Sequence, residues 1–143
     1  MLHHGKVYFV IIPSYNRSAT IGKCLDAALS SHYKNFEVVV VDDCSTDDSV
    51  EVIKTYPCRL IQLNEHSGAS KARNVGALHS NGEILFFTDS DCLIQGDTLA
   101  TVNKAVAVHD SDRTITGGTY TTLPFDNKFF STFQSAFVHY LFL

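Results

Sequence analysis

Four short apolar runs, each closed by polar or acidic residues and separated by helix-period segments, leave this 143-residue chain few folds to adopt. VYFVII (7–12) stops at Pro13, and FEVVVV (36–41) runs straight into Asp42 and Asp43. CRLIQL (58–63) is followed by a loop, and EILFFT (83–88) ends in Asp89-Ser90-Asp91. Apart from Glu37, FEVVVV is apolar on both alternating faces, as a central parallel strand should be. Between the runs, Ile21, Leu25, Ala28 and Leu29 share one helix face within Ser18 to Ser31. Ser45 followed by Asp48 resembles a capping box for a helix carrying Val50, Ile53 and Tyr56. Further helices are expected over Ala69 to Ser80 and, after a cap at Asp97, through Leu99, Val102 and Val106. RTITGGTY (113–120) reads as a fifth strand. Strands that alternate with helices need crossover connections, so the expected class is α/β, three layers around a mostly parallel sheet.

Size and charge narrow the function. One domain of 1–143 accounts for the length, and hydrophobic residues at 45% suffice for a core. The net charge of −4 comes without any basic run, which argues against a nucleic-acid partner. The cysteines at 24, 44, 58 and 92 have no zinc spacing and read as reduced thiols of a cytoplasmic protein. No stretch reaches the roughly 18 apolar residues of a membrane span. The segment 127–143 differs from the rest. It carries five Phe and ends on an apolar run, so a terminal helix that continues in a longer protein is expected. Such a tail could also pair two copies, or bring a longer protein to a membrane.

In a parallel sheet, ligands bind beyond the carboxyl ends of the strands. That rule collects Pro13, Ser14, Tyr15, Asn16 and Arg17 from the first strand, Asp42 and Asp43 from the second, and Asp89, Ser90 and Asp91 from the fourth. Asp89 and Asp91, if extended, point the same way about 7 Å apart at their α-carbons. Two such carboxylates repel unless a cation joins them, and Mg²⁺ or Mn²⁺ suits hard oxygen donors. The plainer alternative is that these aspartates cap the next turn. Asp42 and Asp43 have the same alternative, as caps of the helix begun near Ser45. Gly68 leads into a helix N-terminus that favours anions, with Lys71 and Arg73 in reach of diphosphate oxygens. His66, His79, His109 and His139 pair with no nucleophile and read as structural or surface residues.

"VIIPSYNR", "VVVVDDCSTDDS", "NEHSGASKARNVGA" and "GEILFFTDSDC", in this order and at these separations, resemble the family-2 glycosyltransferases of the GT-A fold, which has a Rossmann-like sheet. The resemblance covers about Val7 to Cys92, with Gly117 and Gly118 also fitting. It implies a nucleoside-diphosphate-sugar donor, UDP-sugar foremost, and a donor-binding core over 1–126. Pro13, Ser14 and Tyr15 would line the nucleoside pocket, Asp43 would contact the base, and Arg73 would approach the ribose or diphosphate. Asp91 would hold the metal and Asp89 would face the ribose. Many members carry an acidic residue where Cys92 stands. The implied reaction is sugar transfer with inversion to the hydroxyl of a glycan or lipid-linked acceptor. The catalytic base is expected beyond Leu143, since Asp110, Asp112 and Asp126 sit in no recognisable motif. Other readings are a non-catalytic nucleotide-binding module or a haloacid-dehalogenase-like phosphatase, although Leu93 misfits the latter. The first loop, PSYNR, lacks the glycines of a dinucleotide-binding turn, and a P-loop is absent.

Overall fold

The computed structural model describes residues 6–108 together with Ile115, Gly117 and Gly118. The chain divides into two compact units, Met1–Asn103 and Lys104–Leu143. The site lies wholly in the first. The expected fifth strand apart from Ile115, Gly117 and Gly118, the apolar tail, His109, His139, Asp110, Asp112 and Asp126 lie outside the described residues.

Strands β1 (Tyr8–Ser14), β2 (Phe36–Asp42), β3 (Arg59–Gln62) and β4 (Ile84–Phe87) alternate with helices α1 (Ile21–Leu29), α2 (Ser49–Lys54), α3 (Ala69–Leu78) and α4 (Thr98–Val108). The sheet order is β3-β2-β1-β4, and every pairing is parallel. The chain therefore builds outward from β1 to β3 and then crosses back to the far side of β1. That reversal opens a crevice at the carboxyl ends of β1 and β4. β1 is buried along its full length, paired with β2 on one side and β4 on the other and covered by helices on both faces.

Side-chain alternation sorts the core into two layers. Tyr8, Val10, Ile12, Val38 and Val40 face α1, α2 and α4, meeting Ile21, Leu25, Ile53 and Leu99. Phe9, Ile11, Val39 and Val41 face α3 through Ala72 and Val75. These are the three layers expected. Gly76 sets how close α3 comes, since a Cβ there would lie 2.5 Å from Ile11 Cγ2. Only a glycine lets the helix settle onto β1 and carry Arg73, one turn earlier, to the rim.

Two helix starts differ from the sequence reading. α1 begins at Ile21 rather than Ser18, because residues 18–20 form a turn in which Arg17 O accepts the Thr20 and Ile21 N–H groups. The capping box at Ser45 does not form. α2 begins at Ser49, and Ser45 Oγ instead accepts the Asn16 N–H at 2.9 Å. Asp47 replaces it, its Oδ1 accepting the Ser49 N–H at 3.0 Å and the Ser49 hydroxyl, its Oδ2 the Ser18 N–H at 3.0 Å.

Candidate functional site

Three loops leave the carboxyl rim, and hydrogen bonds sew the first two together. Asn16 takes a left-handed backbone (φ 51°), which asparagine tolerates better than most residues, and turns its side chain toward the β2–α2 loop. Its Oδ1 accepts the Thr46 N–H at 2.8 Å and the Asp47 N–H at 3.3 Å. Ser49 Oγ accepts the Arg17 N–H at 2.7 Å. Asn16 is thus a loop fastener. Asp42 is buried, its Oδ2 accepting the Ser45 N–H at 3.0 Å. Its Oδ1 and the Ser14 hydroxyl, neighbours in the parallel register, are buried without a partner.

The third loop is fastened by Asp43. With its side chain 2% exposed, Asp43 accepts the Ser67 N–H on Oδ1 and the Gly68 N–H on Oδ2, both at 2.8 Å. His66 Nδ1 lies 2.9 Å from the same Oδ2. A carboxylate only accepts, so the attractive contact puts the proton on Nδ1. The His66 ring also lies on the Tyr15 ring, with centroids 4.0 Å and planes 25° apart. Gly68 reaches φ 91°, which frees the chain to turn from this anchor directly into α3.

Beyond β4 the chain does not stay extended as the spacing alone suggests. It turns, with the Cys92 N–H donating to Asp89 O at 3.0 Å. The turn draws the ligand atoms of Asp89, Asp91 and Cys92 within 4.8 Å of one another. Beneath it the Cys24 thiol donates to Asp89 O at 3.5 Å. Burial pushes that thiol up to about 12, with Cys92, Asp91 and Asp89 adding to the rise, so it stays a neutral donor. Arg73 from α3 closes the far side, its Nη2 lying 2.5 Å from Asp89 Oδ1. Two exposed carboxylate oxygens beside a thiol fit a hard divalent cation, with Asp91 and Asp89 as the oxygen donors.

The three loops enclose an open pocket of about 330 Å³, lined by Pro13, Ser14, Tyr15, Arg17, Asp43, His66, Ala69, Arg73, Asp89, Ser90 and Asp91. Its volume suits a ligand of nucleotide size. Of the residues expected from sequence, nine line it in common: Pro13, Ser14, Tyr15, Arg17, Asp43, Arg73, Asp89, Ser90 and Asp91. Asn16, Asp42, Gly68 and the exposed Lys71 lie outside the lining. His66, read as structural or surface, lines it. The spacing gave no hint of this, because its partners Asp43 and Tyr15 are distant in sequence.

Comparison with known proteins agrees with this geometry. Residues 9–133 match the family described as Glycosyl transferase family 2. The chain is 38% identical over 107 residues to glycosyltransferase GlyA of Streptococcus pneumoniae, covering 72% of this chain and 15% of that protein. The crystal structure of Staphylococcus aureus TarS 1–349 in complex with UDP-GlcNAc matches at a TM-score of 0.70 and 30% identity, over 80% of this chain and 38% of that one. Mannosyltransferase PcManGT from Pyrobaculum calidifontis, in complex with GDP-Man and Mn²⁺, matches at a TM-score of 0.69 and 31% identity, over 85% and 36%. The chain spans well under half the length of each of these proteins.

Proposed function

The chain belongs to glycosyl transferase family 2 and has its GT-A type fold, and from that premise we propose that the pocket binds a nucleoside-diphosphate sugar, UDP-sugar foremost, with Mg²⁺ or Mn²⁺. The observation that carries this reading is that one pocket is lined by two chemically distinct clusters of contacts. Around His66 stand the aromatic ring of Tyr15 and the buried carboxylate of Asp43, suited to a base. The other cluster joins the Arg73 guanidinium to the exposed carboxylates of Asp89 and Asp91, suited to a diphosphate and its cation.

Each group has a task under this reading. Asp91 and Asp89 hold the cation, which when bound supplies charge to a departing diphosphate. Arg73 is held by Asp89. With side chains 35% and 52% exposed, that ion pair contributes under about 1 kcal/mol, so Arg73 can exchange Asp89 for diphosphate oxygens at little cost. A guanidinium pairs with phosphate in a bidentate way, which positions the leaving group. The start of α3, whose Ala69 lines the pocket, favours the same anion through its helix N-terminus. Transfer then proceeds with inversion as an acceptor hydroxyl attacks the anomeric carbon from the face opposite the diphosphate.

The described carboxylates lining the pocket are Asp43, Asp89 and Asp91, and each is already engaged. We therefore assign the acceptor's base to a residue outside them. A glycan or lipid-linked acceptor, and a cytoplasmic setting where nucleotide sugars are made available, complete the proposal. Calorimetric titration of UDP and GDP, with and without Mn²⁺, tests it. Metal-dependent binding that Asp91→Ala abolishes is the expected outcome, whereas metal-independent binding that survives Asp91→Ala would overturn the metal assignment.

A further inference from the structure

His66 makes the two contacts that a nucleobase would need in this pocket. One is a face, since its ring lies on Tyr15 with centroids 4.0 Å apart. The other is an acceptor, since its Nδ1 lies 2.9 Å from Asp43 Oδ2. Both remaining claims on the Asp43 carboxylate are backbone N–H groups fixed in the loop, from Ser67 and Gly68. The contact open to exchange is therefore the one that His66 holds. A planar ring cannot slide between Tyr15 and His66, because two stacked contacts of about 3.5 Å each would need the rings roughly 7 Å apart.

We infer that His66 stands in for the nucleobase, occupying the base's stacking place on Tyr15 and its acceptor on Asp43 until the donor displaces it. This rests on the donor reading above and adds to it a specificity-determining residue. Displacement is structurally cheap. The His66 side chain is 55% exposed, so it can rotate into solvent without opening the core, while Asp43 still holds Ser67 and Gly68. The exchange is also selective. A base that presents a ring N–H, as uracil and guanine do, replaces the histidine donor. Cytosine and adenine present a ring lone pair at the same edge, which faces a carboxylate with repulsion.

The test is a titration of the full chain, carrying isotope-labelled histidine, with UDP and Mn²⁺. His66→Ala identifies the His66 resonances by difference. At saturation the nuclear Overhauser contact between the His66 and Tyr15 rings should vanish. His66→Ala, freed of the competing ring, should bind UDP about threefold or more tighter than the unmodified protein. UDP bound with the ring contact intact, or His66→Ala binding no tighter, overturns this inference alone. UDP bound by neither protein overturns it together with the donor reading.

Discussion

Two aspartate pairs flank β1, one at the end of β2 and one just past β4, and they look alike in the sequence while doing opposite work. Asp42 and Asp43 are buried, and their oxygens accept loop N–H groups from Ser45, Ser67 and Gly68. Asp89 and Asp91 stand in solvent, where Asp89 meets Arg73 of α3. Nothing about the residue type distinguishes them. The difference is how many backbone donors the neighbouring loops deliver. At the end of β2 the next two loops fold back over the carboxylates, whereas past β4 the chain turns away and leaves them bare. A buried carboxylate supplied with backbone N–H groups holds shape, and an exposed, undersupplied one is free to bind a cation.

That contrast can be broken most sharply at Asp43. Asp43→Ala leaves the Ser67 and Gly68 N–H groups without their acceptor and should cost about 2–4 kcal/mol, read as a lower midpoint in urea unfolding. Asp43→Asn, which keeps the shape and one acceptor, should cost less. At the other pair the same substitution should leave the fold intact. Asp89→Ala and Asp91→Ala should each stay within about 0.5 kcal/mol of the parent in the same assay. A loss there comparable to that of Asp43→Ala would end the distinction. The smallest effect is expected at Asp47, an exposed third case that is nonetheless well supplied with donors. The Ser49 hydroxyl, together with the Ser18 and Ser49 N–H groups, holds its carboxyl well below the usual range. Its folded value is lowered, so its contribution is complete above the unfolded value of about 3.9 and fades as pH falls below it. Unfolding free energy measured from pH 6 to pH 2 should therefore fall less steeply in Asp47→Asn.

The fold was readable because its signals are local. Apolar runs of strand length gave all four described strands within a residue or two, and the α1 face of Ile21, Leu25 and Ala28 is the face that packs. The rim was readable as a place, since strand ends in a parallel sheet must gather there. What each rim residue does was not readable. Asn16 meets its partners 30 and 31 residues away, and Asp43 meets Ser67 and Gly68 at 24 and 25. No local pattern encodes such pairings. Ser45 illustrates the cost, since its spacing to Asp48 is right for a cap but its hydroxyl is already taken by Asn16. His66 is the same lesson reversed, a residue without a motif whose neighbours come from two other loops.

The stitching between the first two loops makes their lengths dependent variables. Asn16 reaches Thr46 and Asp47, while Ser45, Ser49 and Asp47 reach back to Asn16, Arg17 and Ser18. One residue added to either loop would slide every rung of that ladder at once, unless the other loop changed to match. Relatives that vary here should therefore do so in both loops together, like two sides of a zip. The connection between α3 and β4 bonds instead to α3 itself, to Arg59 and to Val7, so insertions there leave that ladder in register.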